Sequence, residues 1–320
     1  MIKAHLTELA FKVARARCRQ VVLPILTYHR VLDDKDPYRP AEPDISNFTR
    51  QLRFIKKHFQ TYTISNAVER LKASELPNNA ICITFDDGYK DNLTNAARLL
   101  IEHEMVATFY IATGYLNGGC MWNDMVIDAF KQTTKRQLST WDGTGDEYVF
   151  DSKDDKISTM RQLIKSIKYY DGSKREELAH RIRDELCSSN SSEHMMTNAE
   201  VKKLYDIGME IGGHTVSHPI LMNLKDTLIE KEILEGKNYL ENIIDDKVST
   251  FAYPNGRYGE DYNKAVRDIV ERCGFLSAVT TESGVTDRNS DFYQMNRMTL
   301  WGGDSLKSTM RFIKNVYLTK

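Results

Sequence analysis

Short apolar runs alternate with amphipathic stretches along most of the chain. Runs rich in β-branched and aromatic residues predict buried strands at residues 21–29, 80–86, 107–113, 209–214, 249–254 and 275–281. Apolar residues at helical spacing predict helices at residues 45–59, 91–104, 197–208, 224–244 and 262–274. Strand–helix alternation over this length predicts an α/β fold with a parallel sheet, either closed into a barrel or doubly wound.

Residues 115–196 break this alternation. The part at 141–156 is polar and turn-rich, which is typical of a small hairpin at most, and the remainder has mostly helical patterning. We therefore expect one large domain over residues 21–320 that carries a mostly helical insertion at about residues 115–196.

The first 20 residues combine apolar positions at helical spacing with basic side chains at Lys3, Lys12, Arg15, Arg17 and Arg19. They predict a basic amphipathic helix. Such a helix can make peripheral contact with an anionic membrane surface, or it can pack on the protein with its charges in water. The pattern leaves both options open.

The composition excludes some classes of partner. A net charge of −1 gives no overall attraction to nucleic acid, so we expect no nucleic-acid partner. No apolar stretch approaches the roughly 20 residues that a bilayer-spanning helix needs. The five cysteines form no CxxC pair, and residues 1–20 lack the apolar core of a secretory signal. We expect reduced thiols and a cytoplasmic protein, with peripheral contact to the inner face of the membrane as an option.

Two adjacent carboxylates, Asp86 and Asp87, end the second apolar run and are followed by Gly88. A plain turn is the simplest interpretation, because Asp and Gly are common loop residues. Neighbouring residues of an extended strand point to opposite sides, so both carboxylates could reach one site only if the strand end is distorted.

A second polar cluster follows the run at 209–214, where His214 and His218 lie four residues apart. Two imidazoles at this spacing can meet one metal ion, and a carboxylate would complete a site that leaves positions open for water and substrate. One aspartate could then bind the metal while the other takes a proton from water. The ends of parallel strands converge at one mouth of a barrel, where active sites are built.

Three motifs give the chain a family resemblance: TFDDG at 84–88, HTVSH at 214–218 and FAYPNG at 251–256. The chain resembles the polysaccharide deacetylases with the NodB homology domain (carbohydrate esterase family 4) over about residues 21–300, outside the insertion. This resemblance implies a deformed (β/α) barrel of about seven parallel strands and hydrolysis of an N-acetyl group on a sugar.

The resemblance also implies roles for the four polar residues. Asp86 would be the general base, and Asp87, His214 and His218 would bind one divalent metal ion. The metal is usually zinc, although such sites also accept cobalt, nickel or iron.

Two departures from the family pattern leave the general acid unassigned. Ala252 stands where many members carry Arg in the third motif, and no His follows His218, whereas many members carry a Leu-x-His near the C-terminus. LTYHRV at 26–31 is similar to a motif of the poly-N-acetylglucosamine deacetylase branch, which looks circularly permuted. His29 is therefore our candidate acid, and a core histidine bonded to a backbone carbonyl is the alternative. A neighbouring carboxylate could offset the effect of the metal on its pKa.

Four further residues are candidates for contact with substrate. The backbone amide of Asn255 would stabilise an oxyanion, and Tyr253 would line the pocket unless it packs in the core. Trp122 would stack on a sugar unless it is buried. Arg297 is either structural or in contact with substrate, since a guanidinium hardly ever gives up its proton.

The function that we predict is metal-dependent removal of N-acetyl groups from a sugar, a glycan or a carrier-linked glycan intermediate. Hydrolysis of a cyclic amide or imide on the same fold is one alternative. A non-catalytic glycan-binding protein is another, and it would be expected to have lost a base or a metal ligand.

Overall fold

The computed structural model describes residues 2–17, 20–139, 147–187, 194–300 and 306–318. The strands, in chain order, are β1 (Val22–Leu23), β2 (Ile25–Tyr28), β3 (Gln60–Tyr62), β4 (Ala80–Phe85), β5 (Thr108–Ile111), β6 (Gln137–Ser139), β7 (Glu147–Val149), β8 (Glu210–Gly213), β9 (Thr250–Ala252), β10 (Ser277–Ser283), β11 (Thr286–Asp287) and β12 (Met295–Arg297). The helices are α1 (Ile2–Arg17), α2 (Ile45–His58), α3 (Ile64–Lys72), α4 (Arg98–Glu102), α5 (Trp122–Gln132), α6 (Lys153–Ile167), α7 (Gly172–Leu186), α8 (Asn198–Asp206), α9 (Asp226–Ile244), α10 (Lys264–Arg272) and α11 (Leu306–Ile313).

A parallel sheet with seven strands on its main path forms the centre of the molecule. The strand order is β12-β10-β9-β8-β5-β4-β2, and β3 pairs with β4 beside this path. The two ends meet, because Leu26 in β2 bridges Met298 just after β12, and Thr27 N–H donates to the Met298 carbonyl at 3.0 Å. The predicted deformed barrel of about seven parallel strands is thus confirmed.

Apolar side chains fill both faces of this sheet, which is why its strands have continuous apolar sequences. All six residues of β4 are buried. The aromatic rings of Phe85 and Phe109, on the neighbouring strands β4 and β5, stack with centroids 4.8 Å apart. This packing fixes the strand ends from which the polar motifs emerge.

Several predicted boundaries differ from the structure. Pro24, which has no N–H to donate, divides the run at 21–29 into β1 and β2. The strands β3 and β12 were missed because three residues give no usable periodicity, and α3 was missed as well. Within the predicted helix at 91–104, a π-helical turn over Asn92–Ala97 precedes α4.

The predicted mostly helical insertion is also confirmed. The helices α5, α6 and α7 pack around an apolar cluster that includes Phe130, Leu163 and Ile182. The strands β6 and β7 pair as an antiparallel hairpin. The hairpin begins before the predicted stretch at 141–156, and residues 141–146 of that stretch lie outside the described residues.

The helix α1 packs on the protein along part of its length. Phe11 and Ala14 are buried, and the Phe11 ring contacts Phe59 and Phe312. Leu9 and Val13 remain exposed. Membrane contact by this segment stays a prediction. None of the described helices combines the length and apolar character needed to span a bilayer.

Candidate active site

The end of β4 is distorted in the way that the two aspartates require. The Asp86 N–H still donates to the Tyr28 carbonyl of β2 at 3.0 Å, so the ladder reaches this residue. Asp87 then takes a left-handed conformation with φ of 80°, which is strained for a residue with a side chain. Because of this turn, both carboxylates line one cavity of about 690 Å³ at the carboxyl ends of the strands.

Asp87, His214 and His218 form a compact cluster. One carboxylate oxygen of Asp87 lies 3.5 Å from Nε2 of His214 and 3.5 Å from Nε2 of His218. The ligand atoms of all three residues lie within 4.8 Å of one another. This same buried Asp87 oxygen has no hydrogen-bond partner among the described residues. The Asp87 oxygen and the Nε2 atoms of His214 and His218 are therefore close enough together to bind one ion.

The tautomer of His214 suits metal binding. Its Nδ1 lies 2.7 Å from the carbonyl oxygen of Ala252, so Nδ1 donates a hydrogen bond there and Nε2 carries the free lone pair. Burial lowers the pKa of His218 to about 3, which keeps that imidazole neutral as a metal ligand must be. The donor set therefore fits a divalent ion such as zinc.

The loop that carries the two histidines is held from α9. Oε2 of Glu232 accepts hydrogen bonds from the N–H groups of Val216 and Ser217, each at 2.9 Å. His218 itself has φ of 51°, and its N–H donates to the Thr215 hydroxyl at 3.1 Å. These contacts position His218 without the support of a strand.

Arg297 pairs with Asp86 inside the barrel. Its Nη1 and Nη2 each lie 2.7 Å from one carboxylate oxygen of Asp86, and its Nε donates to the Thr280 carbonyl at 2.7 Å. Burial alone would raise the pKa of Asp86, but this guanidinium holds it below its usual range. Of the two options for Arg297, this geometry fits the structural one. Arg297 is fully buried and is not among the residues that line the cavity.

His29 follows β2 at the mouth of the cavity, and 48% of its side chain is exposed. Its carbonyl accepts a hydrogen bond of 2.8 Å from Asn92 in the π-helical turn, which fixes the backbone. The Nδ1 atom lies 4.0 Å from the Glu42 carboxylate. Burial lowers the pKa of His29, but the charges of Asp87, Glu42 and Asp86 outweigh this effect and raise it above its usual value. The ring therefore lies at the mouth rather than in the core.

The other candidates divide into two groups. Asn255 and Trp122 line the cavity, but Trp122 is only 7% exposed and packs in the apolar cluster of the insertion, so the buried alternative holds for most of its ring. Tyr253 does not line it; the residue is 1% exposed, stacks on Tyr262 and donates a hydrogen bond of 3.0 Å to the Tyr293 carbonyl. The core alternative is thus the one realised for Tyr253, because its hydroxyl finds a partner inside the protein.

Sequence reasoning missed several charged residues of the cavity. Glu42 and Arg30 come from the loop after β2, and Asp124 and Arg175 come from the insertion. Arg30 lies within LTYHRV at 26–31, but the resemblance assigns it no role, and Glu42, Asp124 and Arg175 belong to none of the motifs. Their placement depends on how the loop and the insertion fold over the barrel mouth, which no local signal in the sequence encodes.

The comparisons with known proteins agree with this geometry. The family model for polysaccharide deacetylase matches residues 73–144 and 178–277, together more than half of the chain. YxkH of Bacillus subtilis (strain 168), whose name assigns it to the same family, is 22% identical over 296 residues, covering 92% of this chain and 77% of YxkH.

Solved structures show the same fold. The Streptococcus pyogenes deacetylase PplD in complex with acetate aligns with a TM-score of 0.60 and 19% identity, covering 92% of this chain and 99% of PplD. IcaB from Ammonifex degensii aligns with a TM-score of 0.57 and 16% identity, covering 91% of this chain and 95% of IcaB. With the fold, the match of the family model and the clustered motifs all in agreement, this chain belongs to the polysaccharide deacetylase family.

Proposed function

We propose that this protein is a metal-dependent deacetylase that hydrolyses the N-acetyl group of an N-acetylated sugar. The observation that carries the proposal is the convergence of Asp87, His214 and His218 beside the buried carboxylate of Asp86. A glycan-binding protein without activity would have no need to keep these four groups in an open cavity.

The metal would be held by the Asp87 carboxylate and by Nε2 of His214 and His218. A divalent ion bound there supplies Lewis acidity, which makes a water molecule nucleophilic at neutral pH. Zinc is the ion that we propose, because a ligand set of two imidazoles and one carboxylate, with further coordination positions open, suits it.

Asp86 would accept the proton of the attacking water. A base must be ionised to act, and the Arg297 guanidinium keeps Asp86 ionised by lowering its pKa. The bidentate contact also fixes the plane of the carboxylate, so the base meets the water with little reorganisation.

His29 would donate the proton that the sugar amine needs in order to leave. Its position at the cavity mouth, its exposed ring and the nearby Glu42 carboxylate support this role. Glu42 is one of the carboxylates that raise the pKa of His29, and because Glu42 is not a proposed metal ligand its charge still favours the protonated ring when the metal is bound.

Asn255 and Trp122 would bind the substrate. Asn255 has φ of 59°, and its N–H donates to no acceptor in the described part of the chain, so it is free for the carbonyl oxygen of the acetyl group. The small part of Trp122 that is exposed in the cavity would contact the sugar.

Acetate release from a panel of N-acetylhexosamine oligomers and sugar conjugates, with zinc added, tests this function. A cyclic imide belongs in the panel as a comparison for the alternative chemistry. We expect acetate from at least one sugar and no ring opening. The variants His214→Ala and His218→Ala should lose the metal in elemental analysis, whereas His180→Ala, which changes an exposed residue of α7, should keep it. Full metal occupancy in both site variants would contradict the assignment.

A further inference from the structure

One set of cations around the cavity is neutralised by neighbouring carboxylates. Arg30 Nε lies 2.8 Å from an Asp91 oxygen, and Arg39 Nη2 lies 2.8 Å from Asp124 and 2.9 Å from Asp128. These guanidiniums connect the loop after β2 to α5. Their charges are used within the protein and are not available to a ligand.

A second set of cations lines the same cavity and differs in this respect. We call it the cationic wall; its members are Arg161 on α6, Lys168 at the end of α6, Arg175 on α7 and Arg257 in the loop after β9. Arg161, Lys168 and Arg175 form no salt bridge with any carboxylate of the residues that the structure describes. In the described part of the chain, Arg257 forms a salt bridge only with the exposed Glu260, at 3.4 Å.

Arg175 is the most informative member of the cationic wall. Only 3% of the residue is exposed, yet its Nε has no hydrogen-bond partner among the described atoms. Its Nη2 lies 3.4 Å from the His218 carbonyl, and the guanidinium lies 5.3 Å from the centroid of the Trp122 ring. A guanidinium stays charged in proteins, and burying a charge without a counter-ion is costly. An anion supplied by a ligand would remove that cost.

The position of Arg175 links such an anion to the reaction site. The residue touches both the backbone of His218 and the ring of Trp122, so an anion bound to it would lie next to a sugar in the cavity. Four cations around one cavity favour a group with more than one negative charge. A phosphoryl group also matches the fork of a guanidinium.

We propose that the cationic wall binds a phosphoryl group attached to the sugar, so that the substrate is an N-acetylated sugar phosphate or a sugar joined to a carrier through phosphate. This inference rests on the proposed deacetylase function and names its substrate class. The phosphoryl group is bound and not cleaved, while the amide bond is hydrolysed as before.

A binding experiment on the metal-loaded protein tests this assignment without requiring catalysis. Calorimetry compares N-acetylglucosamine 1-phosphate with the uncharged methyl glycoside of N-acetylglucosamine. We expect N-acetylglucosamine 1-phosphate to bind at least ~10-fold more tightly than the methyl glycoside, because a hydrogen bond to a charged group contributes about that much. The double variant Arg161→Gln/Lys168→Gln should lose ~10-fold in affinity for the phosphate and none for the glycoside.

The control also removes two positive charges, one from α6 and one from α7, but both lie away from the cavity. Lys165→Gln/Arg181→Gln should bind both ligands as the wild type does, because neither side chain lines the cavity. Equal binding of phosphate and glycoside by the wild type would overturn the proposal. So would an equal loss of affinity in the control, or tighter binding of the carboxylate sugar N-acetylmuramic acid.

Two acetate-release assays identify the source of the phosphoryl group. Release from N-acetylglucosamine 1-phosphate supports a free sugar phosphate, and release from uridine diphosphate N-acetylglucosamine supports a carrier diphosphate. If no sugar releases acetate but phosphate-selective binding persists and depends on Arg161 and Lys168, the deacetylase function fails while the phosphoryl site stands.

Discussion

Arg297 and Arg175 are two buried guanidiniums with different surroundings: Arg297 contacts the cavity residue Asp86 from inside the barrel, and Arg175 lines the cavity itself. Arg297 lies inside the barrel, where both of its terminal nitrogens contact Asp86 at 2.7 Å. Arg175 lies on the insertion and meets a carbonyl, an aromatic ring and no carboxylate within salt-bridge distance among the described residues. The first charge is compensated by the protein, and the second is left for a ligand.

This difference separates the two parts of the site. The barrel holds the reacting groups, and its Arg297 compensates the charge of the proposed base Asp86 before substrate arrives. The insertion contributes Trp122 and Arg175 to the cavity lining, and the Nε of Arg175 has no hydrogen-bond partner among the described residues. We infer that chemistry resides in the barrel and substrate selection in the insertion.

Removing the compensated charge should have the largest effect. Arg297→Met leaves the Asp86 carboxylate buried without a partner, which should cost about 3–5 kcal/mol of unfolding free energy. Urea unfolding measures this. The double variant Arg297→Met/Asp86→Asn should recover much of the loss, because it removes the orphaned charge. If Arg297→Met lost less than about 1 kcal/mol of unfolding free energy, the Arg297–Asp86 pair would not be a main source of stability in the barrel.

The proposed acid should also matter strongly. His29→Gln should keep the metal and lower turnover by ~10²–10⁴, the usual size of an acid–base effect. Acetate release together with elemental analysis checks both statements. Near-normal turnover in His29→Gln would leave the acid unidentified.

Glu42 provides a pH test of the same residue. A general acid works only while protonated, so activity should fall as the pH rises through the pKa of His29. Glu42 is one of the carboxylates that raise this pKa, so Glu42→Gln should lower it and move the basic limb of the pH–rate profile to lower pH. The metal is the same in both proteins, so the difference between them isolates Glu42. If the basic limb of the pH–rate profile lay at the same pH in Glu42→Gln and the wild type, Glu42 would not be raising the pKa of His29.

Arg175, whose charge has no carboxylate partner among the described residues, should contribute far less to stability than Arg297. Arg175→Met removes a buried charge that has no carboxylate partner, so its unfolding free energy should change by no more than about 1 kcal/mol in either direction. Its affinity for a sugar phosphate should fall at the same time. A destabilisation as large as that of Arg297→Met would show that the two guanidiniums are equally structural.

The smallest expected effect concerns the N-terminal helix. Leu9 and Val13 of α1 are exposed while Phe11 and Ala14 are buried, so only a narrow apolar strip is left for a membrane. We expect weak binding of the whole protein to anionic vesicles at low salt and its loss at high salt, measured by flotation. No binding at low salt would leave α1 as a packed helix only.

The sequence predicted the features that local patterns encode. The barrel strands followed from continuous apolar runs, and the helix predicted at 197–208 followed from apolar residues at helical spacing and appears as α8. The adjacent carboxylates and paired histidines were recognised because strand ends of a parallel barrel converge. Each of these depends on residues close together in the chain.

The rest depends on long-range packing. Arg297 reaches Asp86 from a position 211 residues away, and β12 is too short to be recognised by its pattern. The π-helical turn that brings Asn92 to the His29 carbonyl also resembled an ordinary helix in the sequence. The pairing of Glu42 with His29 depends on the fold of a polar loop, for which no periodicity exists.

The two adjacent aspartates give the most direct test of the central account, in which Asp87 binds the metal and Asp86 is the base. Elemental analysis and acetate release should be measured on Asp86→Asn and Asp87→Asn, with circular dichroism to verify the fold. Asp86→Asn should keep one ion per chain and lose ~10²–10⁴ in turnover, while Asp87→Asn should lose the ion. Loss of the ion from Asp86→Asn with retention in Asp87→Asn would contradict the account.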